Sequence, residues 1–306
     1  MNIRFFIFLS VCFLLADARG VKDDLVLTLG YLYNSNVNSK PDNEEFIKYL
    51  PKSDYLRKSD RAFYYEIGYL RSKNLSRKVF FNISFDFRGK NYIDSDRYDN
   101  EKITIKNEFI AKRENFYFYF PFLFYERREG KEESFYDLLR ISFDPAVSYG
   151  SYPLYIRFGL SFRKNRYRNL SDFDNKFFSG NLFVKYFIDS NKNFSVKSYS
   201  GKSVDEFSPN KDFYKGVILS YYEEIFDYAL YFDIFSHFAY HNFYDSFLGF
   251  YIRRKEINRG FSCSFSYFFD KGVKVSFSFY HSKNASAFEI YKYKKDIVDI
   301  KLSKSF

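Results

Sequence analysis

The chain has 306 residues and a formal net charge of +10, and 24% of it is aromatic, with 43 Phe, 31 Tyr and no Trp, although 28% is charged and the mean hydropathy is −0.41. So many rings beside so much charge exceed what a soluble core requires, and only 13 Gly and 6 Pro argue against a disordered chain. The basic residues are spread along the sequence, which speaks against a nucleic-acid surface, where they would gather on one face.

At the N-terminus Arg4 precedes an apolar run over 5–16, and Ala16, Asp17 and Ala18 have the small-x-small form of a cleavage site. Residues 1–18 are therefore expected to be a signal peptide, with the barrel domain over 19–306. A lipoprotein signal is not expected, because Val11 precedes Cys12 where a small residue is needed. No later apolar run approaches 20 residues, so no transmembrane helix is expected. Export without such a helix leaves the periplasm, secretion or an outer-membrane barrel. Cys263 is then the one remaining cysteine. It shares a phase with Phe261, Phe265 and Phe269 and reads as a lipid-facing or packed thiol.

The expected strands follow in chain order. Over 25–34, Leu25, Leu27, Leu29, Tyr31 and Tyr33 share one side. A polar stretch with Pro41 and Pro51 leads to 62–70, where Phe63, Tyr65, Ile67 and Tyr69 oppose Glu66 and Gly68. Over 78–88, Val79, Phe81, Ile83, Phe85 and Phe87 alternate with Asn82, Ser84, Asp86 and Arg88. Facing Asp86 and Arg88 to lipid would cost several kcal/mol, so they belong in a wet interior. Residues 91–100 read as a loop, 102–110 as a strand with Lys102, Lys106 and Glu108 inward, and 112–115 as a tight turn. A strand over 116–125 carries Pro121 on the inward phase, a position suited to a bulge because proline donates no ladder bond. Strands at 138–149 and 154–162 send Arg140, Ser142 and Asp144, then Arg157, Gly159 and Ser161, inward.

The second half repeats the pattern at 177–188, 193–203, 213–225, 228–240, 259–269, 273–283 and 296–306, with Lys185 and Asp233 inward. Short turns fall at 189–193, at 226–227 and at 270–272. Long connections fall at 163–176, 204–212, 241–258 and 284–295, with 241–258 taken as loop. The total is about 14 strands, and long loops alternate with short ones as in an antiparallel up-and-down transmembrane β-barrel of the outer membrane. The last strand places Val298, Ile300, Leu302 and Phe306 on one face and Asp299, Lys301, Ser303 and Ser305 on the other. Its terminal aromatic has the form of a barrel-assembly signal.

The lumen-facing charges Glu66, Asp86, Arg88, Lys106, Glu108, Arg140, Asp144, Arg157, Lys185 and Asp233 are the candidate pore or client contacts. Either they pair and hold the wall in register, or the basic ones bias the lumen towards anions. Exposed Lys and Arg are suited to anionic lipopolysaccharide outside. The histidines are His237, His241 and His281, and His237 lies about 13 Å along its strand from Asp233, too far for a dyad. No phosphate loop, dinucleotide fingerprint or Cys/His cluster is present, so neither cofactor nor metal is expected. A hydrolase reading requires a His within hydrogen-bond reach of a carboxylate or Ser at the rim.

Several stretches resemble the C-terminal barrel of the surface lipoprotein assembly modifiers, the Slam family. Residues 29–38, with Gly30, Asn34, Ser35, Asn36, Val37 and Asn38, resemble the family's first strand and loop, where Asp usually stands in place of Asn34. Arg253 and Arg254, with Glu256 in place of an Asp, resemble a loop entering a strand. Residues 283–286, Tyr291, Tyr293, Lys294 and Phe306 resemble the closing hairpin. The resemblance covers roughly 25–306. It implies a non-catalytic barrel of the Gram-negative outer membrane that assists translocation or display of lipoproteins at the cell surface. The implied partners are a client lipoprotein, the barrel-assembly machinery and a separate periplasmic helical-repeat protein, since only a few residues lie between the signal and the first strand. A porin or solute channel with anion preference is the alternative function, and an outer-membrane hydrolase the second.

Overall fold

A computed structural model of the chain describes residues 21–36, 59–94, 99–129, 138–167, 174–205, 211–225, 229–247, 250–269, 272–286 and 292–306. The expected signal peptide lies outside them. In chain order the strands are β1 (Val21–Asn34), β2 (Asp60–Ser76), β3 (Val79–Tyr92), β4 (Asn100–Arg113), β5 (Phe116–Glu129), β6 (Leu138–Phe143), β7 (Ala146–Ser151) and β8 (Leu154–Tyr167). They continue as β9 (Asn175–Phe187), β10 (Lys192–Asp205), β11 (Lys211–Ile225), β12 (Leu230–Phe247), β13 (Phe250–Phe269), β14 (Val273–Ser286) and β15 (Tyr293–Ser305). Neighbours in sequence pair antiparallel, and β15 returns to β1. Strands β6 and β7 both lie between β5 and β8, so they are two halves of one stave. The barrel therefore closes with 14 staves, the number read from the sequence.

The alternation sorts the side chains as lipid and water require. Leu29 is 65% exposed, Phe63 59% and Ile300 51%, all on the outside, where a bilayer covers them. The intervening residues Thr28 and Ser303 bond to each other at 2.9 Å on the inside. Cys263 lies in register with the outward Phe279 and is half-buried.

Most staves run past the ends read from the sequence. A 14-residue stave rising about 3.3 Å per residue and tilted by about 40° is roughly 35 Å tall, against an apolar band of about 25 Å. The ends beyond that band are wet on both faces, and alternation stops there although pairing does not. The reading of 241–258 as a loop is corrected for this reason. Residues 241–247 and 250–258 belong to β12 and β13, with His241 opposite Glu256 and Asn242 opposite Lys255. Polar groups on both phases erased the period-2 signal. The same effect shortens the loops expected at 163–176, 204–212 and 284–295. At the other end, the turn expected at 112–115 narrows to Glu114 and Asn115, and Glu114 adopts a φ of 55°.

Pro121 keeps register with Glu108 of β4. On its other side lies the break between β6 and β7 at Asp144 and Pro145, where the Asp144 N–H donates to the Pro121 carbonyl at 3.2 Å. The proline, lacking a donor, thus stands where the ladder is interrupted and no bond is lost.

Candidate functional site: the lumen wall and the closing seam

The inward phase gives two kinds of wall. On β2 and β3, Arg88 donates from Nε to Asp86 Oδ1 at 2.6 Å and from Nη2 to Oδ2 at 2.9 Å, and it lies 3.7 Å from Glu66 Oε1. On β4, Lys106 Nζ lies 2.8 Å from Glu108 Oε1. Residues i and i+2 share a face of a strand, so each of these charges finds its counter-charge on its own or the adjoining stave.

From β5 to β9 the cations meet rings instead. The Arg140 guanidinium lies 5.2 Å from the Tyr125 ring and donates to Asn165 Oδ1 at 2.8 Å. Arg157 lies 4.5 Å from the Tyr119 ring and Lys185 4.8 Å from that of Phe187. Asp144 accepts from Ser142 at 2.9 Å and from Ser161, with Arg163 at 3.9 Å. Arg157, Arg163, Lys197 and Asp144 line a recess of about 420 Å³. Asp233, on β12, accepts from Ser264 at 3.4 Å. Lys106 and Arg88 are thus neutralised by carboxylates, whereas Arg157 and Lys185 rest on aromatic faces, which hold a cation without cancelling its charge.

The seam joins the first stave to the last. Strand β1 pairs with β2 over its full length, from Val21 to Asn34, but with β15 only from Val26 to Asn34. Apart from the interrupted β6–β7 stave, this is the shortest ladder among the described residues. Beyond it, the Phe306 N–H donates to the Leu25 carbonyl at 2.9 Å and the Ser35 N–H to the Asp296 carbonyl at 2.8 Å. Val298, Ile300 and Leu302 lie opposite Tyr33, Tyr31 and Leu29 on the lipid face, and the Phe306 ring is exposed. A Cβ on Gly30 would sit 2.8 Å from the Ile300 carbonyl oxygen and from Lys301 Cγ, so only glycine allows this approach of the two strands.

The upper end of the seam holds a polar clasp. Asn34 is 2% exposed and Asn36 0%. The Asn36 N–H donates to Asn34 Oδ1 at 3.1 Å, an Asx turn. Asn36 Nδ2 donates to the Lys294 carbonyl at 2.9 Å, and Asn34 Nδ2 to Tyr92 Oη at 3.4 Å. Two and three staves from β15, on β13 and β12, Arg254 lies 2.8 Å from Glu256 and His237 Nε2 lies 2.6 Å from Asn258 Oδ1, and Tyr293 of β15 stands beside Asn258 and Glu256. The backbone of Arg253 pairs with Tyr244. Asn38 and Tyr291 lie outside the described residues. Three stretches far apart in sequence therefore meet at the end of the barrel away from the chain termini.

The same rim places His281 Nδ1 at 2.6 Å from Asp296 Oδ1, a pair that sequence reasoning missed because it spans two strands. Ser35 Oγ donates to Asp296 Oδ2 at 3.4 Å and accepts the Asp296 N–H at 2.8 Å. The distance asked of a hydrolase is met, but the order is Ser, Asp, His. The carboxylate stands in the middle of this group, where a serine nucleophile would need the imidazole. The group ties β1, β15 and β14 together. His237 turns to Asn258 rather than Asp233, and His241 packs 6.1 Å from the Tyr214 ring. Among the described residues no three His, Cys, Asp or Glu gather as metal ligands.

A family model described as surface lipoprotein assembly modifier matches residues 24–306. No curated protein matches the chain in sequence. Among solved structures, a loop-deletion mutant of OmpT, an outer membrane protein of Vibrio cholerae, is similar with a TM-score of 0.56 at 7% identity, covering 94% of this chain and 100% of that one. The outer membrane channel DcaP of Acinetobacter baumannii is similar with a TM-score of 0.53 at 11% identity, covering 95% of this chain and 99% of that one. At such identities these likenesses concern the fold alone.

Proposed function

Since the chain belongs to the surface lipoprotein assembly modifier family, whose model matches nearly its whole length, we propose that it assists the passage or display of lipoproteins at the cell surface without catalysing a reaction. It is a β-barrel of the Gram-negative outer membrane. A lipoprotein joins a hydrated polypeptide to acyl chains, and its route must serve both. A lumen alone is wet and the outer wall alone is greasy. A seam that parts between β1 and β15 joins the two. The observation that carries this reading is the convergence of the separated motif residues Asn34, Asn36, Arg254 and Tyr293 at the upper end of the barrel, where the first two clasp the short β1–β15 ladder. The partners are a client lipoprotein, the barrel-assembly machinery, for which Phe306 is the signal, and a periplasmic helical-repeat protein. Removing the chain from its cell is expected to leave its client synthesised but shielded from protease added to intact cells. Unchanged protease access would overturn the reading.

The recess lined by Arg157, Arg163 and Lys197 favours a second reading, an anion-preferring solute pore. The purified chain in a planar bilayer would then conduct anions over cations, and an Arg157→Glu, Lys197→Glu variant would lose that preference. A silent bilayer ends this alternative.

A further inference from the structure

Strands β8, β9 and β10 carry Lys164, Lys176 and Lys202 on the outward phase, near the end of the barrel opposite the termini. Lys164 and Lys176 stand directly opposite each other in register, and Lys202 lies opposite Phe178 on the next stave. The adjoining outward row is aromatic: Phe122, Phe143, Phe162 and Phe178 are register neighbours across four staves. Their ring centroids are 4.6, 6.4 and 4.9 Å apart in turn. These rings and the three lysines border a groove of about 490 Å³ on the outer wall. The intervening residues face the lumen, where Arg163 lies 5.3 Å from the Phe177 ring, so the lysines are not pore charges turned aside.

Three cations at one height beside a row of rings complement a ligand that carries phosphates at one end and hydrocarbon at the other. The aromatic row marks the height where hydrocarbon gives way to headgroups, and the lysines stand at or just above it. Lys164 and Lys202 are two staves apart, about 10 Å, wider than one phosphate covers. We propose that this groove is a binding site for a phosphorylated, multiply acylated glycolipid of the outer leaflet, with its phosphates on Lys164, Lys176 and Lys202 and its acyl chains along the phenylalanine row. This lipid would sit on the wall at β8–β10, away from the β1–β15 seam, and its binding does not depend on any transport role.

The test uses the full chain folded in neutral detergent, with bound lipid counted by native mass spectrometry. Bisphosphorylated lipid A, phosphatidylglycerol and inorganic phosphate are each titrated. Lipid A is expected to bind at one site, with the other two binding far more weakly. A Lys164→Gln, Lys176→Gln, Lys202→Gln variant is expected to lose affinity by roughly a hundredfold, and a Lys274→Gln control, which removes a lumen cation, to keep it. Should the triple variant not fold, Lys176→Gln and Lys202→Gln singly are each expected to lose about fivefold. Wild-type affinity in the folded variants would overturn the proposal. Binding of phosphatidylglycerol or phosphate as tight as that of lipid A would overturn it as well, leaving a general anion site.

Discussion

Leu29→Arg will lower the stability of the barrel in a lipid bilayer by about 2 to 4 kcal/mol, the cost of a guanidinium on the lipid face near mid-membrane. Leu29 is the clearest such position, 65% exposed in the middle of β1, opposite the exposed Leu302 on one side and the Tyr65 ring on the other. The same residue type placed inside meets different physics. Ser278→Arg puts its charge beside the Asp299 carboxylate, which Ser278 now reaches at 2.6 Å, and is expected to change stability by less than about 1 kcal/mol. Denaturant unfolding of both variants from vesicles of short-chain phosphatidylcholine measures the contrast. Equal costs would mean that the two faces of the wall do not meet different solvents, and the membrane assignment would fall with that result.

The second large effect is expected at the seam. In an Asn34→Ala, Asn36→Ala variant the half-buried Lys294 carbonyl loses its donor, at a cost of about 0.5 to 1.5 kcal/mol, and the buried residue-36 N–H loses its acceptor, at a cost of about 1 to 3 kcal/mol. The neighbouring Ser35 bonds to Asp296 remain and hold the strands near one another, so the barrel stays folded while its upper seam opens more often. Amide exchange followed by mass spectrometry is expected to rise about tenfold or more over 26–36 and 292–300, and to stay as in wild type over β9 and β10. Uniform change around the barrel, or none at all, would show that Asn34 and Asn36 shape a turn and do not govern the seam. Coupled to the client assay, the variant also separates routes: passage through the seam responds to it, and passage confined to the lumen does not.

The exterior could be read without coordinates. Alternation over 79–88 placed Phe85 outside and Asp86 inside because one face of a membrane stave meets hydrocarbon and the other meets water. The ends of the staves were not legible in the same way. At His241 and Asn242, and again at Lys255 and Glu256, polar side chains occupy both faces, so pairing continues after its sequence signature has vanished. Phase assigns each inward charge a face but not a partner: that Glu66 lies across from Arg88 depends on register, which the turn between β2 and β3 sets.

The alternation of apolar and polar residues determined by itself that this chain is a wall with a greasy outside and a charged inside, because solvent acts on each residue separately. What only the tertiary structure decided is which distant residues meet. Ser35 touches Asp296 across 261 positions and Asn36 holds the Lys294 carbonyl, because closure makes the last stave the neighbour of the first. Contacts of that kind arise from the register at which the cylinder shuts, a property of all the strands together that no single stretch carries.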